Sequence, residues 1–247
     1  MQLKGKVVVV SGAASGIGAS VVKLAAKQGA DAIGLDIDDS RGRAVVEQSG
    51  GTYQHCDVSN TDSWATLAAW LKTSHSGIDY LHLNAGIQSA PPEAPLADYR
   101  FGSMQIARYQ KMMGVNVDGV VLGLHHLLPL MRPGGSIVVT GSLAGVVPYE
   151  IDPLYSMSKH AITGLVRSLK SELGEQGLRI NAICPGAIDT GIIPNDQRGG
   201  DAQFMTPDHV ADEVMHLFLT AESGETWLKI KESKPVYIMY PRGRKKD

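Results

Sequence analysis

The chain has 247 residues, 43% of them hydrophobic and 19% charged, and a net charge of −2. This length and balance suit one soluble α/β domain with a substantial core. The near-neutral charge supplies no basic field to recruit nucleic acid or an anionic membrane surface. Two cysteines, Cys56 and Cys184, are too few for a disulfide framework and lack metal-ligand spacing. Both lie in apolar strand-like stretches, as small core residues in a reducing compartment do.

Val7 to Val10 is a β-branched run without alternation, which predicts a strand buried on both faces of a parallel sheet. It is too short for the apolar core of a signal peptide. The longest apolar stretch, Val120 to Met131, is interrupted by His125, His126 and Pro129 and cannot span a bilayer. A cytoplasmic protein is therefore expected. A glycine-rich turn follows the first strand, then a helix over Ile17 to Gln28 with Gly29 where a C-cap would be. Asp31 to Asp36 predicts a second strand, Ser40 to Gln48 a helix, and Thr52 to Cys56 a third strand. Thr61 to Thr73 reads as a helix with Trp64, Leu67, Ala68 and Leu71 on one apolar face, and Ile78 to Leu83 as a fourth strand. Ile87 to Met104 holds Pro91, Pro92 and Pro95 with little periodicity, and is an irregular excursion.

A helix over about 106–130 contains Gly114, Gly119 and Gly123, small residues that permit close helix packing. Ser136 to Thr140 is the fifth strand, Leu154 to Leu173 a long helix, and Leu178 to Ile183 the sixth strand. The polar stretch 187–206 is a candidate lid over a site, and Pro207 opens a helix through Leu219. Trp227 to Ile230 and Val236 to Tyr240 are both strand-like, and the pattern does not decide which joins the sheet. The basic run Arg242 to Lys246 reads as a solvated end. Strand and helix alternate regularly without repeat or linker. One domain is expected, 1–247, with a doubly wound, Rossmann-type parallel sheet of about seven strands and helices on both faces.

The residues that carry chemistry cluster at the carboxyl ends of the predicted strands, where open α/β sheets bind ligands. Ser11-Gly12-Ala13-Ala14-Ser15-Gly16-Ile17-Gly18 joins a buried strand to a helix. Glycines there let a pyrophosphate approach the helix N-terminus; a turn that merely needs positive φ would use them too. Asp36 ends the second strand, where a carboxylate accepts from adenosine ribose hydroxyls and repels a 2′-phosphate. Neither Ile37 nor Ser15 is basic, which favours NAD over NADP. Asp57 and Val58 end the third strand, where they either meet the adenine or start the next helix, for which Asn60 is also available. Asn84, Ala85 and Gly86 end the fourth strand with small residues that leave room for a cofactor. Tyr155 and Lys159 are four apart on one helix face. An ammonium about 5 Å away at an effective dielectric of ~20 stabilises a phenolate by roughly 3 kcal/mol, about two pKa units. Alone, such a pair is most often two residues on a wet helix face.

In this order and spacing, the glycine turn, Asn84-Ala85-Gly86, Asn116, Ser142, Tyr155 with Lys159, and Pro185-Gly186 resemble the short-chain dehydrogenase/reductase family over nearly the whole chain. Ser11 stands where the family more often has Thr, which keeps the hydroxyl. The resemblance implies that Tyr155 is the general base in alcohol oxidation and the acid in carbonyl reduction. Lys159 would lower its pKa and hold the nicotinamide ribose, and Ser142 would bond the substrate oxygen. Asn116 would hold a relay water, or else kinks its helix by bonding to backbone. Pro185, Gly186, Ile188 and Thr190 would position the nicotinamide carboxamide.

Ser142, Tyr149 and Tyr155 are the candidate substrate contacts, and Leu143, Ala144, Val146 and Val147 make that wall apolar. A hydrophobic aryl, alicyclic or steroid-like alcohol is expected. The stretch from Asn84 to Asn116 is longer than is usual in the family by about two helical turns of chain. The helices at 106–130 and 154–173 resemble those of the family's four-helix dimer interface, so a homotetramer or homodimer is expected. His125-His126 point in different directions without a partner carboxylate, and no metal is expected; Met104, Met112 and Met113 are packing residues. The leading function is an NAD-dependent secondary-alcohol dehydrogenase acting on a small molecule. An NADPH-dependent ketone or ketoacyl reductase and a non-catalytic dinucleotide sensor are the alternatives.

Overall fold

The computed structural model describes residues 2–198 and 204–240; the basic tail and the middle of the 187–206 loop lie outside the described residues. The first half runs β1 (Val7–Ser11), α1 (Gly16–Lys27), β2 (Asp31–Asp36), α2 (Asp39–Gln48), β3 (Thr52–His55), α3 (Thr61–Ser74) and β4 (Ile78–Leu83). After two short 3₁₀ turns come α4 (Ile106–Met113), a π-helical segment Gly114–Asp118, α5 (Gly119–Leu127) and β5 (Met131–Thr140). Then follow α6 (Pro153–Ser168), α7 (Lys170–Glu175), β6 (Arg179–Pro185), α8 (Pro207–Thr220), β7 (Thr226–Lys229) and β8 (Tyr237–Ile238). The sheet order is β3-β2-β1-β4-β5-β6-β7-β8, parallel except for β8, which is antiparallel to β7. Both C-terminal segments join the sheet, giving eight strands rather than about seven: a turn over 230–236 folds the last one back as an edge.

Continuous apolar runs in the central strands follow from burial on two sides. Val7 and Val9 point into the core layer of α3, α5 and α6, whereas Val8 and Val10 point into the layer of α1, α2 and α8. Ile137 and Val139 against Val138 repeat the division on β5. The three glycines of the 106–130 region do bring that helix close. A Cβ on Gly119 would lie 3.0 Å from Val58 and one on Gly123 would lie 2.8 Å from Leu83.

Two expected helices differ in detail. The 106–130 helix is interrupted by the π segment around Asn116, because the Asn116 side chain bonds the backbone of Ile87 and pulls one turn wide. The 154–173 helix starts at Pro153, capped by Asp152 accepting from Tyr155 N. It is divided at Leu169 between α6 and α7 while α-helical hydrogen bonds continue, Leu169 N to Leu165 O and Leu173 N to Leu169 O.

The sheet changes direction of winding between β1 and β4, which opens a crevice at their carboxyl ends. Ser11 and Asn84 tie this point. The backbone N–H groups of Asn84 and Ala85 donate to the Ser11 hydroxyl oxygen at 2.9 and 3.2 Å, and Asn84 Nδ2 donates to Ser11 O at 3.1 Å. Replacing Ser11 by Ala leaves two partly buried amides without an acceptor, and the expected cost is about 1–3 kcal/mol. Ser11→Thr should stay near the wild type. Urea denaturation of both variants checks this, and equal midpoints for Ala and Ser would contradict it.

Candidate active site

A cavity of about 570 Å³ runs along the carboxyl edge of the sheet, from Asp36 and Ile37 after β2 to Ser142, Tyr155 and Lys159 beyond β5. Gly12, Ser15, Gly16, Ile17, Asp57, Val58, Asn84, Ala85, Gly86, Pro185, Gly186, Ile188 and Thr190 lie along it. Most of the residues singled out by sequence thus face one space. Gly18, Asn116 and Tyr149 are not among the residues that line it.

At the glycine turn, Gly12 and Gly16 have φ of +69° and +56°. A Cβ on Gly12 would sit 2.9 Å from Ala85 Cα, and one on Gly18 would sit 2.2 Å from Gly12 O. Both positions therefore require glycine. The following helix has neither a side-chain cap from Ser15 nor an acidic residue in its first turn. Its unpaired N–H groups and dipole are left to an anion arriving through the cavity. These residues fit the pyrophosphate of a dinucleotide. Asp36 braces the turn: Oδ2 accepts from Ala14 N at 2.9 Å, and Oδ1 accepts from Ile37 N at 2.8 Å and Asp38 N at 3.1 Å. Oδ1 is thus filled by two bonds, whereas Oδ2 retains acceptor capacity for a further donor. Arg41, one turn further along, also lines the cavity, which attention to positions 15 and 37 alone overlooks. Asp57 accepts from Ser59 N and Oγ, while Asn60 caps α3; of its two readings, capping is excluded.

Beyond β5, Lys159 is buried, and its Nζ donates to Thr140 O at 2.9 Å and lies 5.8 Å from the centre of the Tyr155 ring. Gly86 makes room for it, since a Cβ there would be 3.2 Å from Nζ. Burial holds Lys159 down to about 8, with Cys184 opposing. Burial also pushes the Tyr155 phenol up, opposed by the nearby Ser142 hydroxyl, and Tyr149, Asp152 and Cys184 add to the rise. This corrects the expectation that Lys159 alone brings the phenol toward neutrality. With both groups buried, desolvation disfavours phenolate and ammonium alike.

Both amide hydrogens of Asn116 go to protein groups, Ile87 O at 2.9 Å and Ser158 Oγ at 3.0 Å, and its oxygen accepts from Ile87 N at 2.8 Å. The kink geometry is therefore present. Tyr149 packs edge-on against Tyr155 at 6.3 Å. Met112 is fully buried and packs in a cluster with Ala144, Leu154 and Tyr155.

The excursion after Gly86 supplies a wall that sequence reasoning did not assign. Gln88, Ala90, Pro91, Pro92 and Glu93, with Arg108 and Lys111 of α4, face the cavity. Pro92 O accepts from Asn195 N at 2.9 Å, and Asp196 accepts from Leu96 N at 3.3 Å, joining the excursion to the 187–206 loop. Its unusual length and three prolines were the available signal.

Residues 6–199 match the family described as short chain dehydrogenase. A 2,5-dichloro-2,5-cyclohexadiene-1,4-diol dehydrogenase of Sphingobium indicum is 36% identical over 196 residues, 77% of this chain and 76% of that protein. A mitochondrial borneol dehydrogenase of Lavandula x intermedia is 32% identical over 224 residues, 87% of this chain and 84% of that one. Among solved structures, a blue fluorescent protein from a metagenomic library in complex with NADPH superposes with TM-score 0.80 at 25% identity, covering 92% of this chain and 97% of that one.

The buried ammonium makes stability depend on pH in a defined window. Below about pH 8 Lys159 is protonated in the folded and unfolded states, and its burial penalty is complete. Between about 8 and its ordinary value of 10.5 the unfolded state holds more proton, so stability rises with pH. Relative to Lys159→Met, the wild type should gain about 2 kcal/mol between roughly pH 7 and pH 10. Denaturation of both proteins across that range measures it; a gap independent of pH would refute it.

Proposed function

Because the chain belongs to the short chain dehydrogenase family, we propose that it is an NAD-dependent oxidoreductase interconverting a secondary alcohol and a ketone. The observation that carries this reading is the meeting of Ser142, Tyr155 and Lys159 at one stretch of a cavity whose far wall is Asp36. A bound nicotinamide supplies the hydride acceptor. Tyr155 passes its own proton to the neutral amine of Lys159, takes the hydroxyl proton as phenolate in oxidation and returns it in reduction, while Ser142, on the same stretch of the cavity, holds the reacting oxygen beside it. Lys159, kept in place by Thr140 O, passes charge and proton to and from the phenol. Asn116 fixes the Ile87 backbone behind this cluster, and Tyr149 supports the Tyr155 ring.

The substrate is an apolar ring alcohol. Ile87, Ala90, Pro91, Pro92, Val115 and Ile192 line the cavity, and the similar proteins carry the names of dehydrogenases of borneol and of a chlorinated cyclohexadienediol. The 187–206 loop is the lid, latched to the excursion at Pro92 and Asp196. One catalytic domain, assembled as a homotetramer or homodimer through the helical runs 106–130 and 154–173 in the cytoplasm, completes the reading. NADPH is the competing cofactor, favoured by Arg41 on the wall beside Asp36.

Initial rates with NAD and NADP over a panel of cyclic secondary alcohols separate the two. Asp36 predicts at least tenfold preference for NAD, the scale of one unfavourable charge contact of about 1.4 kcal/mol. Equal or better rates with NADP would overturn that assignment. Tyr155→Phe should abolish turnover while leaving NAD binding by calorimetry within a few fold; retained turnover would remove Tyr155 from its role.

A further inference from the structure

Asp152 is buried, with 1% of its surface exposed, and no salt bridge to it is present among the described residues. Its Oδ1 accepts from Tyr155 N at 3.0 Å and from Ser89 Oγ at 2.6 Å, and its Oδ2 accepts from Ser89 N at 3.1 Å. Such a carboxylate is tolerated only when its lone pairs are met by strong donors. Capping α6 needs just one of these bonds. The other two reach across to Ser89.

Ser89 ends a segment pinned at every residue. Ile87 is held through N–H and C=O by Asn116, and Gln88 O and Ser89 O accept from Arg108 at 3.1 and 2.8 Å. Arg108 on one side of Ser89 and Asp152 on the other place opposite charges about a single polarised residue. Ile87 and Gln88 line the cavity, as do residues 90–93 beyond the anchor. The carboxylate that starts the helix of Tyr155 thus also holds the wall facing it.

From this geometry we infer that Asp152 is a positioning residue: it clamps the 87–93 wall to the first turn of α6 and sets the register between that wall and Tyr155. The inference rests on the reading of Tyr155 as the proton-transferring group. Asp152 also acts on the phenol at a distance. The groups facing Tyr155 are Ser142 before the 143–145 turn, Tyr149, Asp152, Lys159 on α6 and Cys184 on β6. Of these, Asp152 contributes a negative charge that disfavours phenolate.

Four variants test it with the cyclic alcohols and the intact protein. Asp152→Ser keeps an N-cap but is too short for Ser89. It should cut kcat/KM for the alcohol about tenfold, the scale of a lost charge-assisted bond, while KM for NAD stays within about twofold. Hydrogen exchange should accelerate at 87–93 and not in α6. Asp152→Asn should move the alkaline-rising limb of the oxidation profile to lower pH by about half a unit to one unit. Ser89→Ala, which leaves the charge in place, should raise KM for the alcohol severalfold without moving the limb. An unmoved limb in Asp152→Asn, or an unchanged alcohol KM in Ser89→Ala, overturns the inference; the second arm stands even if the Asp152 variants fail to fold. Tyr155→Phe is the separate control: activity there would defeat the underlying reading, whereas an inactive Tyr155→Phe beside normal Asp152 variants would defeat this inference alone.

Discussion

The site depends on a chain of hydrogen bonds that laces the carboxyl ends of three strands. Asn84, just beyond β4, donates to Ser11 O of β1, and its oxygen accepts from Thr140 Oγ1 at the end of β5. His82 Nε2 lies 2.8 Å from the same Thr140 oxygen. Burial pushes the His82 pKa down to about 3, so the ring is neutral, and the direction of the Thr140 bond requires Nε2 to carry its hydrogen. Asn84 and Thr140 each have donor and acceptor matched to their neighbours, which permits polar groups at this depth, while His82 Nδ1 is buried without a partner. Because β1, β4 and β5 meet at the point where the winding reverses, the chain of bonds holds the crevice at a fixed width. Gly12 fits against Ala85 only at that spacing.

From this tie the two halves of the cavity diverge in chemistry. Toward β2 the donors are backbone groups of the glycine turn, braced by Asp36. Toward β5 and α6 they are side chains buried deeply enough for their ordinary pKa values to be displaced. Thr140 belongs to both regions: its hydroxyl serves Asn84 and its carbonyl receives Lys159 Nζ. Burial keeps Tyr155 protonated and Lys159 near 8. Passing one proton from the phenol to the neutral amine leaves the net charge of such a pair unchanged.

Much of the fold was legible because both signals that govern it are local. Unalternating runs such as Val7–Val10 and Ile137–Val139 demand two covered faces, and helices between them must supply the cover. Where long-range contacts decide, local pattern fell short. The π segment at Asn116 arises from a bond to Ile87, twenty-nine residues away. The pairing of β8 with β7 depends on a short turn that no periodicity encodes. Arg41 and Arg108 face the cavity through the arrangement of α2 and α4 against the sheet, and neither stands in a motif.

By itself, the sequence determined the chemistry on offer: the glycine turn, the Asp36 carboxylate, and the hydroxyl, phenol and ammonium of Ser142, Tyr155 and Lys159, each in or beside an element whose type follows from short-range preference. Tertiary structure alone decided how those groups behave. Desolvation is a property of the surroundings, so whether an ammonium lowers a phenol's pKa or is itself depressed cannot be read from a spacing of four. This wall of the cavity is likewise a tertiary product, because the 87–104 excursion has no periodicity to give it direction. Ser89, Asp152 and Arg108, far apart in the chain, bend it back over Tyr155.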